Sequence, residues 1–295
     1  MKIIDCFMFF NEDLILDIRL NELDKYVDYF VIVESNFTHS GEEKGFNFNP
    51  NKFQKFKEKI IYQKILDNPK NLYKLNKSDT ENEVKRKQIL NALIVENYQR
   101  NYLKKGIEKF SNNDFILISD LDEIPDLRKI EFKNIKNSIV LFKQYFFHYK
   151  FNLYLKDFFF FGTKGCLKKN LISPQWLRNV KNKKYSLFRI DTLFSKKKYN
   201  NIKIIEKGGW HFTNIMDEEK IIYKLKSYLH HADFPEKLLR KDIFLNLIKE
   251  KKIMYDHNAD KKGDRFNSKP LDEFDKKLLP IYLQNNLEKF KDWIV

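Results

Sequence analysis

The chain has 295 residues, with 56 Lys and Arg against 41 Asp and Glu, for a formal net charge of +15. At 42% apolar and 33% charged residues it carries enough apolar material for a real core, which excludes a largely disordered chain. Its two cysteines, Cys6 and Cys166, make no disulfide framework and sit in no C-x-x-C zinc pattern, so a reducing compartment is the simplest expectation.

No stretch approaches the roughly 18 uninterrupted apolar residues of a membrane helix. Residues 1–10 read as a first buried strand rather than a signal peptide, because Asp5 interrupts the apolar run and no small-residue cleavage site follows. A cytoplasmic location is therefore expected. The positive balance points to anionic partners. Lysines scattered without regular aromatic interleaving belong to a solvated surface, so nucleic acid is not expected. Peripheral contact with an anionic inner membrane face is compatible with the charge.

In chain order, residues 2–10 form a strand, and residues 12–25 place Leu16, Leu20 and Leu23 on one face of a helix. Residues 29–34 are a β-branched, apolar run suited to a strand buried on both faces, and 59–66 make a third strand. A long helix follows from about Thr80 to Phe110, with Glu81 in its first turn and Gly106 weakening its last. Residues 114–119 are a fourth strand. This alternation predicts an α/β fold with a mostly parallel central sheet and helices on both faces. The aromatic, β-branched stretch 138–161 predicts mixed or antiparallel strands that extend the sheet. From Asp217 onward the spacing is helical, over 217–231, 236–252 and 271–290, and Asp217, Glu218 and Glu219 complement the positive end of a helix. With no repeat and no linker, the chain reads as one domain over 1–295, an α/β core at 1–215 and a helical extension at 216–295.

The most informative segment runs from Phe115 to Pro125. Asp120 and Asp122 fall at the carboxyl end of the fourth strand, where ligands bind in open α/β sheets. In extended geometry residues i and i+2 point to one side, so both carboxylates can face one hard cation. Mg²⁺ and Mn²⁺ take oxygen ligands and often only one or two carboxylates beside substrate phosphates, which makes a D-x-D pair suitable for a metal–diphosphate site. The same pattern suits two other readings: a solvated turn, or an aspartyl-phosphate phosphohydrolase with Asp120 as nucleophile. A non-catalytic basic module for nucleic acid or membrane is a further alternative.

Three more blocks accompany this one in order: Val33 to Gly41, Gly162 to Gly165 between aromatic strands, and Gly208 to Thr213. Together with Asn21 to Leu23 and Ser119 to Pro125 they resemble glycosyltransferase family 17, over about residues 5–235. The resemblance implies an A-type glycosyltransferase fold, a Rossmann-like domain whose first 215 residues bind a nucleotide sugar. It implies Mn²⁺ or Mg²⁺ at Asp120 and Asp122, and an inverting transfer from a UDP-sugar donor, UDP-N-acetylglucosamine foremost. The acceptor would be a glycan on a surface polysaccharide, a lipid-linked glycan or a glycoprotein.

Under that resemblance His211, following two glycines that allow close backbone approach, is a candidate third metal ligand, and Trp210 could stack on a sugar. Asn11, Glu34 and Thr38 lie where such folds hold the nucleoside. Arg86 and Lys164, the latter in a glycine-flanked loop, are candidates to share the diphosphate charge. An inverting displacement also needs a general base near the acceptor hydroxyl. Glu123 and Asp233 are candidates, and His230 could support one.

Overall fold

The computed structural model describes residues 1–186, 189–192, 194–228, 236–255 and 268–295. Strands β1 (Ile3–Met8), β2 (Tyr29–Ser35), β3 (Ile60–Ile65) and β4 (Phe115–Asp120) pair in parallel, in the order β3-β2-β1-β4. Helices α1 (Asp13–Leu23) and α2 (Glu81–Ile107) make the crossovers. The short β5 (Glu123–Pro125) follows β4, and the hairpin β6 (Ile139–His148) and β7 (Leu153–Leu167) extends the sheet. After α3 (Pro174–Asn179) come β8 (Ile202–Ile205) and β9 (Gly209–Thr213), both parallel to β6. The path is β3-β2-β1-β4-β7-β6-β9-β5, so a mostly parallel sheet turns antiparallel only at β7, β5 and a late edge strand.

Alternation along the strands builds two apolar layers. Ile4, Val31, Val33, Ile116 and Ile118 face α2 and α3, where Leu103, Ile107 and Leu177 cover them. Phe7, Phe30, Ile32, Phe115 and Leu117 face α1, which supplies Ile15, Leu16, Leu20 and Leu23. Helix α2 starts on a capping box: Thr80 Oγ1 accepts from the Glu83 N–H, and Glu83 accepts from the Thr80 N–H.

The carboxyl-terminal part departs from the expected run of three helices. Helix α4 (Glu218–Ser227) has Asp217 at its N-cap and Glu218 and Glu219 in its first turn, and the rest of 217–231 lies largely outside the described residues. Helix α5 (Lys241–Lys249) is shorter than expected and is followed by β10 (Lys252–Ile253), which pairs with β11 (Lys269–Pro270). Residues 271–290 do not form a helix: β12 (Asp272–Glu273) pairs with β7, and α6 spans only Ile281–Gln284. Pro270 immediately precedes this stretch and Pro280 falls at its middle, where it interrupts any continuous helix and becomes the N-cap of α6. Its apolar residues Phe274, Leu279, Leu283 and Phe290 return to the α1 layer, so this part of the extension completes the α/β core. Gly162 to Gly165 lies inside β7, not in a loop.

Candidate active site

A cleft of about 680 Å³ opens over the carboxyl ends of β1, β2, β4, β6 and β9, reached by Met8, Ser35, Asp120, His148 and Thr213. Its volume is that of a small-molecule site, and its position is the one expected for open α/β sheets. Its two ends differ in chemistry. Over β1 and β2 it presents Thr38, His39, Lys44, Gln99 and Arg100; over β6 and β9 it presents Phe146, Tyr149, Phe160 and, from α5, Phe244.

The acidic block sits at the middle. Strand β4 ends at Asp120, the chain turns through buried Leu121, and β5 pairs antiparallel with β9 so that Glu123 faces His211 in register. The Phe212 N–H donates to the Asp122 carbonyl at 2.8 Å. Because a turn rather than a strand separates them, the two aspartates have different partners. Asp120 Oδ1 accepts from Arg100 Nη2 at 2.9 Å and Oδ2 from Arg178 Nη2 at 3.0 Å. Asp122 Oδ1 lies 3.4 Å from His211 Nε2, and Oδ2 lies 3.3 Å from Lys224 Nζ, which also reaches Glu12 Oε1 at 3.0 Å.

Charge fixes the ionisation. Burial alone would raise both carboxyls; the Arg178 and Arg100 guanidiniums hold Asp120 well below the ordinary carboxylate range, and Lys224 and His211 do the same for Asp122. Glu123 goes the other way, because burial outweighs the Arg178 charge beside it. Both aspartates are therefore anions at neutral pH. Asp120 is still 38% exposed at the cleft, whereas Glu123 is fully buried.

Among the described residues, no three His, Cys, Asp or Glu side chains converge as a ready-made metal cage. Asp122 and His211 nevertheless fit as a ligand pair. Two adjacent donors on an octahedral cation with about 2.1 Å bonds lie roughly 3 Å apart, and such a cation often completes its shell with phosphate and water. His211 Nδ1 is buried with no hydrogen-bond partner, and Nε2 meets Thr213 Oγ1 at 3.1 Å, so Nε2 is the nitrogen aimed at Asp122. Asp120 fits less well, with each oxygen already taken by a guanidinium.

Of the residues singled out from sequence, Thr38, Asp120, Asp122 and His211 line the cleft. Asn11 does not, although its neighbour Glu12 does. Glu34 is fully buried and accepts from Lys44 Nζ, the Asn47 and Phe48 N–H groups and Tyr62 Oη, so it fastens the 44–48 loop. Arg86 is exposed near the start of α2, fourteen residues before Arg100, or roughly 21 Å along the helix. Lys164 is buried in β7, and its ammonium donates to the Arg178 and Val180 carbonyls at 2.7 and 2.6 Å, away from the cleft. Burial first, with Arg178 nearby, pushes it down to about 7.

Trp210 packs in the α1 layer and donates Nε1–H to the Leu278 carbonyl. The glycines before it serve neighbouring backbone: a Cβ on Gly209 would stand 2.2 Å from the Ile124 carbonyl of β5, and one on Gly208 2.6 Å from the Ile205 carbonyl of β8. Glu123 is a support, held by a two-pronged Arg178 contact at 2.6 and 2.7 Å and by the Asp120 N–H at 2.8 Å. His230 and Asp233 lie outside the described residues.

The cations that complete the site, Arg100, Arg178 and Lys224, escape the sequence reading. Arg100 carries one local signal, Glu96 one helical turn earlier, which it meets at 2.8 Å. Arg178 and Lys224 carry none, since their partners lie 58 and 102 residues away.

The family model for glycosyltransferase family 17 matches residues 1–291. The chain belongs to this family. Among curated relatives it is 26% identical over 246 residues to the human beta-1,4-mannosyl-glycoprotein 4-beta-N-acetylglucosaminyltransferase, covering 75% of this chain and 42% of that protein. The rat and mouse proteins of the same name match at 26% and 25% identity over the same length. This chain thus spans less than half the length of the curated relatives it matches. Among the described residues, no helix is long and apolar enough to cross a membrane.

Proposed function

We propose that this family-17 chain is an inverting, metal-assisted glycosyltransferase that moves N-acetylglucosamine from UDP-N-acetylglucosamine to a glycan acceptor, with Asp122 and His211 holding Mn²⁺ or Mg²⁺. The observation that carries the reading is the abutment of Asp122 and His211 in a cleft at the sheet's carboxyl edge. The names of the relatives support the donor sugar and the β-linked product, which requires inversion from an α-linked donor. The acceptor class stays with a sugar on a polysaccharide, a lipid-linked glycan or a glycoprotein.

A divalent cation at Asp122 supplies electrostatic stabilisation to the departing diphosphate. The chain's own groups do the rest. Lys224 stands beside Asp122 on the cleft wall and Arg100 at the polar end, two cations for phosphate oxygens as negative charge builds. Arg178 and Glu123 keep Asp120 from turning away. Thr38, Gln99 and Lys44 give the polar end hydrogen-bonding groups for a nucleoside. Phe146, Tyr149 and Phe160 give the other end flat apolar surfaces of the kind that pack on pyranose rings. The phosphohydrolase alternative is disfavoured by the match to glycosyltransferase family 17 over residues 1–291 and by the guanidinium engaged at each Asp120 oxygen.

The test is UDP release from UDP-N-acetylglucosamine with Mn²⁺ and candidate sugar acceptors. Turnover by the wild type that Asp122→Asn lowers about 10²–10³-fold, with the fold intact, supports the reading; no UDP release with any UDP-sugar overturns it.

A further inference from the structure

Arg19 lies in the middle of α1 and is fully buried, which is rare for a charged side chain without dedicated partners. Every N–H of its guanidinium is used. Nε donates to Asp5 Oδ2 at 2.8 Å, and Nη2 donates to Asp5 Oδ1 and Ser119 Oγ, both at 2.6 Å. Nη1 reaches the carbonyls of Leu121 and Glu123 at 3.0 and 2.9 Å and that of Asp120 at 3.2 Å. Asp5 sits inside β1, level with Phe30 of β2 and Leu117 of β4, so the pair is sealed between sheet and helix.

A buried ion pair is weak evidence for stability, since apolar residues of similar size often serve as well or better. What this pair does is local. The turn from β4 to β5 leaves three carbonyls pointing into the α1 layer, and buried carbonyls need donors. One planar, five-donor group gathers all three and anchors them to β1. Those three residues bracket Asp122 and include Asp120. The guanidinium does not line the cleft.

We propose that Arg19, oriented by Asp5, is a positioning residue that holds the Asp120–Glu123 turn in the shape that binds a nucleoside diphosphate and its cation. This rests on the proposed diphosphate site at Asp122. A binding constellation must be held to within about 0.5 Å of its productive geometry by the groups behind it, so the effect should appear in ligand affinity even where the fold is intact.

The experiment is calorimetric titration of the full chain with UDP and Mn²⁺, with thermal unfolding recorded alongside. Asp5→Leu with Arg19→Met removes the pair without leaving a lone buried charge, but strips the donor from the turn carbonyls; it should unfold cooperatively at a temperature below the wild type's and bind UDP at least about 10-fold more weakly. Arg19→Lys keeps the charge and loses the fork; it should show the same loss if the double variant does not fold. Leu16→Ala, on the same helix, should lower the unfolding temperature and leave UDP affinity unchanged. Wild-type affinity in a folded double variant or in Arg19→Lys overturns the proposal. No UDP binding by the wild type overturns the site reading instead.

Discussion

Arg178→Met isolates the charge arrangement behind Asp120. In the native chain the guanidinium meets Glu123 through both nitrogens at 2.6 and 2.7 Å, Asp120 at 3.0 Å and the Gly162 carbonyl. Methionine keeps much of the volume but leaves the Glu123 carboxylate fully buried with no cation. Breaking a buried pair from one side costs about 3–5 kcal/mol, a large share of the roughly 5–15 kcal/mol that separates folded from unfolded domains. Asp120, partly exposed, adds little, because water and Arg100 compensate it.

The penalty should depend on pH. In the variant, as already in the native chain, burial holds the Glu123 carboxyl above its unfolded value. A group raised in this way stabilises the fold when protonated and loses that contribution as pH rises through its folded value. The cost should therefore be smaller at pH 5 than at pH 8. Adding Glu123→Gln removes the stranded charge and should restore most of the loss at pH 8, while UDP release stays low because Asp120 is no longer gripped from α3. Urea unfolding of the two single variants, the double variant and the wild type at both pH values gives the coupling energy. A single variant within about 1 kcal/mol of wild type, or a double variant no more stable than Arg178→Met, refutes the assigned charge arrangement.

Three other outcomes are expected. Gly162→Ala puts a methyl 2.0 Å from Gln144 Oε1 and 2.9 Å from Glu123, so it should cost about 1–3 kcal/mol in urea unfolding and lower UDP release through the displaced Glu123. Lys164, held near 7 in the fold, binds fewer protons than in the unfolded chain between about 7 and its ordinary value. The stability of wild type relative to Lys164→Met should thus rise with pH across that window, by at most about 1.4 kcal/mol per unit, and a flat difference counts against the buried, neutral lysine. Lys224→Met removes a cation beside Asp122, so the maximal rate of UDP release should fall about 10²-fold at saturating donor, with a wild-type rate excluding Lys224 from phosphate contact.

The fold was legible where signals are local. β-branched runs gave β1 to β4 within a residue or two, and the acidic Glu81 of a first turn marked the start of α2 near Thr80. Residues 271–290 carry apolar residues at helical spacing, yet Pro280 interrupts the stretch at its middle, and Phe274, Leu283 and Phe290 find the α1 layer without a continuous helix. Gly162 to Gly165 looked like a loop because glycine usually marks one; in β7 these glycines make room for Gln144, Glu123 and Phe115. In the site, Asp120, Asp122, His211 and Thr38 were visible as motif residues at strand ends. Glu34, Lys164 and Trp210 fell in the same motifs but serve the scaffold: Glu34 is taken up by the 44–48 loop, Lys164 by carbonyls at the end of α3, and Trp210 by the α1 layer. Arg19, Arg178 and Lys224 were not legible, because a lone basic residue on a helix looks the same whether it meets solvent or a carboxylate a hundred residues away.

The most direct measurement is calorimetric titration of UDP into the wild type and Asp122→Asn, each with and without Mn²⁺. Saturable binding that requires Mn²⁺ and disappears in Asp122→Asn is the expected result. UDP binding by both proteins alike, or by neither, contradicts a diphosphate site built on Asp122 and His211.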